Sequence, residues 1–438
     1  MPVTAALPAT DADSAIGKSA LRKASVRLIP LIALGYGAAY MDRINISFAS
    51  LQMNRDLHFS ATVYGFGAGL FFLAYAACEI PSNLLLYRIG ARRWLSRIMI
   101  TWGLVAMAMA FVRTPAQFYA MRFLLGVAEA GFFPGIIFYL TQWFPAGLRA
   151  RTQSRWYIAL PLSSVFMGAI AGSLLNLNGH LGLAGWQWLF LVEGIPAVLL
   201  GFVFLYTLPD SPRDAKFLTP PERSWILDQI EAESAATADT SHSVVAALRD
   251  PRVWQIGVFM LLMLASNYAL TFSVPAILQA SSHLSNTYVG FLISGMNILA
   301  TASMLVGAIS SDRSGERFWH VIIPALVAVA SFAVCGLTNN PALLVPAVGV
   351  TYIAFNFMQG PLWAIPPTFF SGRSAAAGIA TMNMVGMIGG FLGPYALGIA
   401  KDLTGTYQRG LLCFTIPWFI AAAIMFYLRR SAQAPAAC

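Results

Sequence analysis

Two pairs of opposite charges interrupt runs that are otherwise apolar. Asp42 and Arg43 adjoin in AAYMDRINISFAS, residues 38–50, and Arg122 and Glu129 stand seven apart in RFLLGVAEA, residues 122–130. An arginine fork grips a carboxylate through two parallel hydrogen bonds, and a carboxylate beside that arginine releases it on taking up a proton. These four residues therefore have the chemistry to bind an organic anion and a proton in mutual dependence. Helix neighbours point about 100° apart, so Asp42 and Arg43 cannot face each other. Residues seven apart share a face, separated by about 10 Å along the axis at about 1.5 Å per residue. Antiparallel helices would then set Asp42 against Arg122 and Arg43 against Glu129. The four charges sum to zero only while both acids are ionised, and protonating Glu129 would leave Arg43 open to a substrate carboxylate. The alternative is a pair of static bridges that fix helix packing, as buried ion pairs sometimes do.

The elements that must position these charges are membrane spans. Of the 438 residues 58% are apolar and 10% charged, against about 25% charged in a soluble domain. Twelve apolar runs, among them 26–50, 62–87 and 116–145, are long enough to cross a hydrocarbon core of about 30 Å as helix. Their continuity excludes a transmembrane barrel, whose strands alternate over about ten residues. An even number of spans puts both termini on one side. With the N-terminus inside, 21 of the 27 Lys and Arg fall on the inner side, which predicts cytoplasmic termini in an inner or plasma membrane. The net charge of +9 thus reports topology, and no basic stripe with interleaved aromatics points to nucleic acid.

Six strongly ionisable residues fall within the spans: Asp42, Arg43, Glu79, Arg122, Glu129 and Glu193, all in the first half of the chain. Each costs about 2.5–3.5 kcal/mol or more if it faces lipid unpaired, so all six are expected to face the bundle interior. Glu79 and Glu193 read as structural. Residues 1–25 carry Asp11 and Asp13 and lack the apolar core of a cleavable signal. AIGKS, residues 15–19, lacks the first glycine of a phosphate loop, Ala12 standing there. The five histidines show no metal spacing, and Cys78, Cys335, Cys413 and Cys438 show neither metal nor disulfide spacing. No enzymatic activity, metal or cofactor is expected.

A polar stretch from Leu208 to Arg252 divides six spans from six, and a short repeat supports the division. YRIGARRW, residues 87–94, aligns without a gap with DRSGERFW, residues 312–319, matching Arg88 to Arg313, Gly90 to Gly315 and Arg92 to Arg317, with Asp312 opposite Tyr87. The predicted organisation is a tail (1–25), a six-helix bundle (26–208), a central loop (209–251) holding a capped helix over 219–233, a second bundle (252–428) and a tail (429–438). Two similar bundles around a midplane site is the layout of secondary transporters.

The repeated loop resembles the signature of the major facilitator superfamily, which implies an all-α membrane fold of twelve helices in two pseudo-symmetric bundles. Within it, YMDRINISFA, EIPSNLLLYRIGARRWL, WQWLFLVEGIPAV and PTFFSGRSAAAGIATMN are together similar to the anion:cation symporter family, end to end. That resemblance implies import of an organic carboxylate with protons, with Arg43, Tyr75, Asn267 and Asn383 binding substrate, and Asp42, Glu129 and Arg122 coupling the proton. Arg88, Gly90, Arg92, Asp312, Arg313, Gly315 and Arg317 would be the conformational loops. The implied partners are the anion, protons and the bilayer around a monomer. Tyr268, Asn297, Asn356 and Gln359 are further polar candidates in the second half. Met387, where sugar-acid members tend to carry an amide, together with Trp363, Phe369 and Phe370, points to a flatter or aromatic acid. Gly168, Gly172, Gly386, Gly389, Gly390 and Gly393 suit close helix contacts. A proton-driven exporter on the same fold is the alternative.

Overall fold

A computed structural model describes residues 15–237, 248–366, 369 and 372–433. Twelve helices are long and apolar enough to cross a membrane. The first six are Ala15–Asp56, Ala61–Ile89, Ala91–Phe111, Pro115–Thr141, Arg155–Leu175 and Gly185–Thr207. The last six are Pro251–Ser282, Asn286–Ser314, Trp319–Leu337, Pro341–Trp363, Gly378–Thr404 and Tyr407–Ser431. They are numbered here as spans 1–12. In the first bundle span 3 packs on span 6, span 2 on span 4, and span 1 on spans 5 and 6. In the second, span 7 packs on span 11 and span 10 on spans 8 and 9. Spans 2 and 11, 5 and 8, and 1 and 7 form the seam between the bundles.

Span 1 begins well before its apolar run because Gly17, Ala20, Ala24 and Leu28 keep a helical spacing and are buried. They lie under a helix of the central loop, Pro220–Thr237, which extends the helix expected over 219–233. Glu222 is the clasp. Its carboxylate accepts from Ser19 Oγ at 2.7 Å, Lys23 Nζ at 2.9 Å and the Thr219 amide at 2.8 Å. Arg149 pairs with Glu233 at 2.8 Å, and Phe217 stacks between Arg27 and Trp143. Of the central loop expected over 209–251, residues 238–247 lie outside the described residues.

Burial of Glu222 opposes its ionisation, but these donors outweigh it and hold the carboxyl at about 2. A depressed pKa contributes stability that is complete above the unfolded value of about 4.3 and is lost as pH falls through the folded one. The helix is therefore expected to stay docked at pH 4 and to release near pH 2. Glu222→Ala should release it at neutral pH, read as faster amide exchange over residues 220–233 with the spans unaffected.

The seam is closed on the face opposite the termini, and glycine sets how closely. A Cβ on Gly168 would meet Ser294 Oγ and the Gly290 carbonyl; one on Gly290 would overlap the Gly168 carbonyl. Gly65 and Gly69 abut the backbone at Pro394 and Phe391 in the same way. Hydrogen bonds follow where backbones approach: Ser294 Oγ donates to the Val165 carbonyl at 2.8 Å, and Tyr64 to the Phe272 carbonyl at 2.9 Å. Asp402, at the end of span 11, accepts from the Ala61 and Thr62 amides at 3.0 and 2.8 Å. Those amides are orphan donors of the first turn of span 2, an anion-favouring position. A leucine at Gly290 cannot occupy this seam, so Gly290→Leu is expected to hold that face open. Cysteine labelling at a seam position such as Thr287 should rise at least tenfold, and transport should fall to background.

Candidate functional site

The charged residues converge where the bundles meet. Arg43 Nη2 donates to Glu129 Oε1 in an ion pair whose side chains are 12% and 2% exposed. The pair joins span 1 to span 4, as the spacing of the residues predicts. Span 4 is not one helix, however. Its first part, Pro115–Glu129, ends on the acid, and a second, Phe132–Thr141, follows. Between them Ala130 leaves the helical backbone and Gly131 adopts φ 86°. A side chain at Gly131 would be strained at that φ and would overlap Ser82. The break places Glu129 beside unwound backbone, the arrangement in which transporter helices commonly build ion and substrate sites. Nothing in the apolar run 116–145 reveals it beyond the dipeptide Ala130–Gly131.

Aromatic rings surround the guanidinium. Phe71 and Tyr75 of span 2 lie with ring centroids 5.3 and 5.4 Å from Arg43 Cζ, a cation–π cage. Tyr268 of span 7 lies beside the Arg43 guanidinium, so one arginine faces both bundles. Tyr36, Tyr40 and Tyr157 complete a tyrosine-rich environment, with Tyr36 stacked on Tyr157 at 5.7 Å. Arg43 Nε and Glu129 Oε2 are left without hydrogen-bond partners. One vacant donor and one vacant acceptor at an otherwise caged pair suit a carboxylate and a proton.

Asp42 does not pair with Arg122, contrary to the antiparallel-helix expectation. Among the described residues no acid lies within ion-pair distance of Arg122. Its Nη2 donates to the Ala68 carbonyl at 3.0 Å, and Phe71 lies 5.1 Å from its Cζ. Phe71 therefore contacts both arginines. The cause is close packing of span 4 on span 2, where Gly126 abuts the Phe71 backbone and carries Arg122 to a span 2 carbonyl. Asp42 turns the other way: the helical step that sends Arg43 to Glu129 leaves Asp42 with Asn45, whose Nδ2 donates to it at 3.1 Å.

The second bundle contributes amides of two kinds. Asn297 and Asn356 donate to carbonyls one turn back, Ile293 and Tyr352, both at 2.9 Å, and Gln359 does so more weakly at 3.4 Å. Asn267 and Asn383 are half-buried and make no hydrogen bond to another described residue, so their amides are available. Phe369 is removed from the site, since it lies under Arg252 at 4.9 Å, at the termini end of span 7. Trp363 is 36% exposed at the end of span 10, and Phe370 lies outside the described residues. The geometry thus withdraws Phe369 from the aromatic-acid argument.

The repeated loops lie on the termini face. Gly90 takes φ 97° and Gly315 φ 66°. The Arg92 amide and guanidinium meet Asp210, beyond span 6, at 2.9 and 3.4 Å, whereas Arg317 meets Asp312 within its own loop at 3.4 Å. Arg88 and Arg313 are exposed.

Twelve spans in two bundles, meeting around a caged arginine, define a membrane transporter rather than an enzyme. The chain belongs to the Major Facilitator Superfamily, whose profile matches residues 32–394. It is 45% identical over 412 residues to the Agrobacterium vitis protein named "Putative tartrate transporter", covering 94% of this chain and 95% of that one. It is 38% identical over 413 residues to the Acinetobacter baumannii protein named "Quinolone resistance transporter", covering 94% of each. The crystal structure of a bacterial homologue of the human lysosomal transporter Spinster superposes with a TM-score of 0.77 at 16% identity, over 94% of this chain and 98% of that one.

Proposed function

We propose that the protein imports an organic carboxylate by proton symport, with alternating access around Arg43. The observation that carries this reading is the Arg43–Glu129 pair, caged by rings and set beside Tyr268 of the other bundle. When Glu129 takes a proton, Arg43 loses its counter-ion and a substrate carboxylate replaces it by the bidentate geometry arginine favours. Asn267 and Asn383 of the second bundle then hold the rest of the anion, with Tyr75 beside the guanidinium. Closure on both bundles follows from substrate bridging them. Asp42 and Arg122 tune the same centre, and the loops carrying Arg88, Gly90, Arg92, Asp312, Arg313, Gly315 and Arg317 latch the termini face in the outward-open state.

The relative named for tartrate supports a small carboxylate as cargo, as does the likeness to anion:cation symporters. In this reading the protein works as a monomer in the inner or plasma membrane with both termini in the cytoplasm, which follows from its Lys and Arg distribution. The relative named for quinolone resistance favours a second reading, a proton-driven exporter.

The deciding experiment is uptake into proteoliposomes of labelled aromatic, dicarboxylic and sugar acids, with and without an inward proton gradient. One acid accumulating only with the gradient supports symport. No accumulation, together with proton-driven outward flux of a fluoroquinolone, supports the exporter.

A further inference from the structure

Beside Arg43, between span 1 and span 6, lies a second group of buried polar residues. Asp42 is 2% exposed, Asn45 1% and Glu193, of span 6, 6%. The Asn45 amide donates to Asp42 Oδ1 at 3.1 Å and lies against the Glu193 carboxyl. Asp42 Oδ2, Asn45 Oδ1 and both oxygens of Glu193 have no hydrogen-bond partner. One amide nitrogen cannot satisfy that many acceptors. A buried acceptor with no donor costs about 1–3 kcal/mol, and more when charged.

Among the described residues no neighbouring element donates to these oxygens, and the buried Trp102 Nε1 of span 3 is itself left without a partner. Span 3 between Trp102 and Phe111 and span 5 between Ala159 and Leu175 carry no ionisable residue. Ser163 and Ser164 donate to Leu160, and beside Glu193 the contacts of Gly194 are with Met107 and the Gly103 backbone. On span 4 Arg122 is engaged with Ala68 and Glu129 with Arg43. Asp42 is the one charge that acts on Glu193. The deficit is of hydrogens, and the smallest species that fills it is a proton.

We propose that Glu193 is a second proton-binding carboxyl of the transport cycle, joined to Asp42 through Asn45 and separate from the anion site. A proton on Glu193 makes its hydroxyl a donor to Asn45 Oδ1, which fixes the amide with Nδ2 toward Asp42 and favours ionised Asp42. When Glu193 releases that proton to water, its carboxylate competes with Asp42 for the single Asn45 Nδ2–H donor, so the charge on one acid bears on the other. Protonation of the two acids is thereby linked through one side chain, adjacent in the chain to the arginine that holds the substrate. The inference rests on proton coupling as proposed above, and adds a site to it.

Two measurements test it. The first needs no substrate: infrared difference spectra of the full-length protein in detergent, titrated in pH, for wild type, Glu193→Gln and Glu193→Asp. A pH-dependent protonated-carboxyl band present in wild type, lost in Glu193→Gln and shifted but present in Glu193→Asp is expected. A band unchanged in Glu193→Gln, or a Glu193 band that does not titrate, overturns the proposal. The second is tartrate accumulation in proteoliposomes at an imposed difference of one pH unit. One proton fewer per cycle lowers the accumulation ratio of Glu193→Gln about tenfold, and an unchanged ratio overturns the proposal. If wild type accumulates no tartrate, the cargo assignment fails, and the infrared titration still decides whether Glu193 exchanges protons.

Discussion

Arg43→Lys is expected to lower carboxylate uptake by about 100-fold or more. Each hydrogen bond to a charged group contributes about 1.5–3 kcal/mol, so losing two costs about 3 kcal/mol or more, and each 1.4 kcal/mol is tenfold in an equilibrium. Lysine keeps the charge but not the fork, so it cannot hold Glu129 or a substrate carboxylate through two hydrogen bonds. It also loses the flat stacking of guanidinium over Phe71 and Tyr75. The loss should fall on both KM and maximal rate, since the same group binds the anion and draws the bundles together. Uptake by Arg43→Lys within threefold of wild type would mean that the site needs only a point charge, and that the fork geometry is incidental.

Glu129→Gln is expected to separate coupling from transport. The amide fits the space of the acid but carries no exchangeable proton and no charge, so Arg43 stands permanently open to the anion. For a singly charged acid, each coupled proton contributes about tenfold per pH unit imposed to the accumulation ratio. The variant's accumulation ratio should fall about tenfold per pH unit, while exchange of labelled for unlabelled acid continues. Its apparent affinity should no longer change with pH. Gradient-driven accumulation by Glu129→Gln at the wild-type ratio would remove the coupling proton from Glu129.

The fold was legible because membrane helices must satisfy their own backbone, which makes them long and apolar. The start of span 1 was less so, since Ala15 to Arg27 is a polar-faced extension shaped by the loop helix that covers it. Arg43 and Glu129 could be matched because residues seven apart share a face and each charge needs a partner. The same reasoning failed for Asp42 and Arg122. It assumed that an arginine must sit in contact with a carboxylate, whereas Arg122 donates to a backbone carbonyl and lies on the face of Phe71, its Nε left without a partner. Tyr75 and Tyr268 were legible as polar residues within spans, but that Tyr36, Tyr40 and Tyr157 join them around Arg43 was not, because the five come from four spans. Glu193 read as structural beside its glycine. The unpartnered oxygens around it are the observation from which its proton binding is proposed.

The central claim is that anion and proton travel together, and it is tested most directly by watching protons while the anion moves. Proteoliposomes loaded with a pH dye, with no proton gradient imposed, are given an inward gradient of the acid that wild type accumulates. Symport predicts acidification of the lumen that tracks uptake of the acid and is abolished by Arg43→Lys. Uptake without any lumenal pH change, or with alkalinisation, would contradict it.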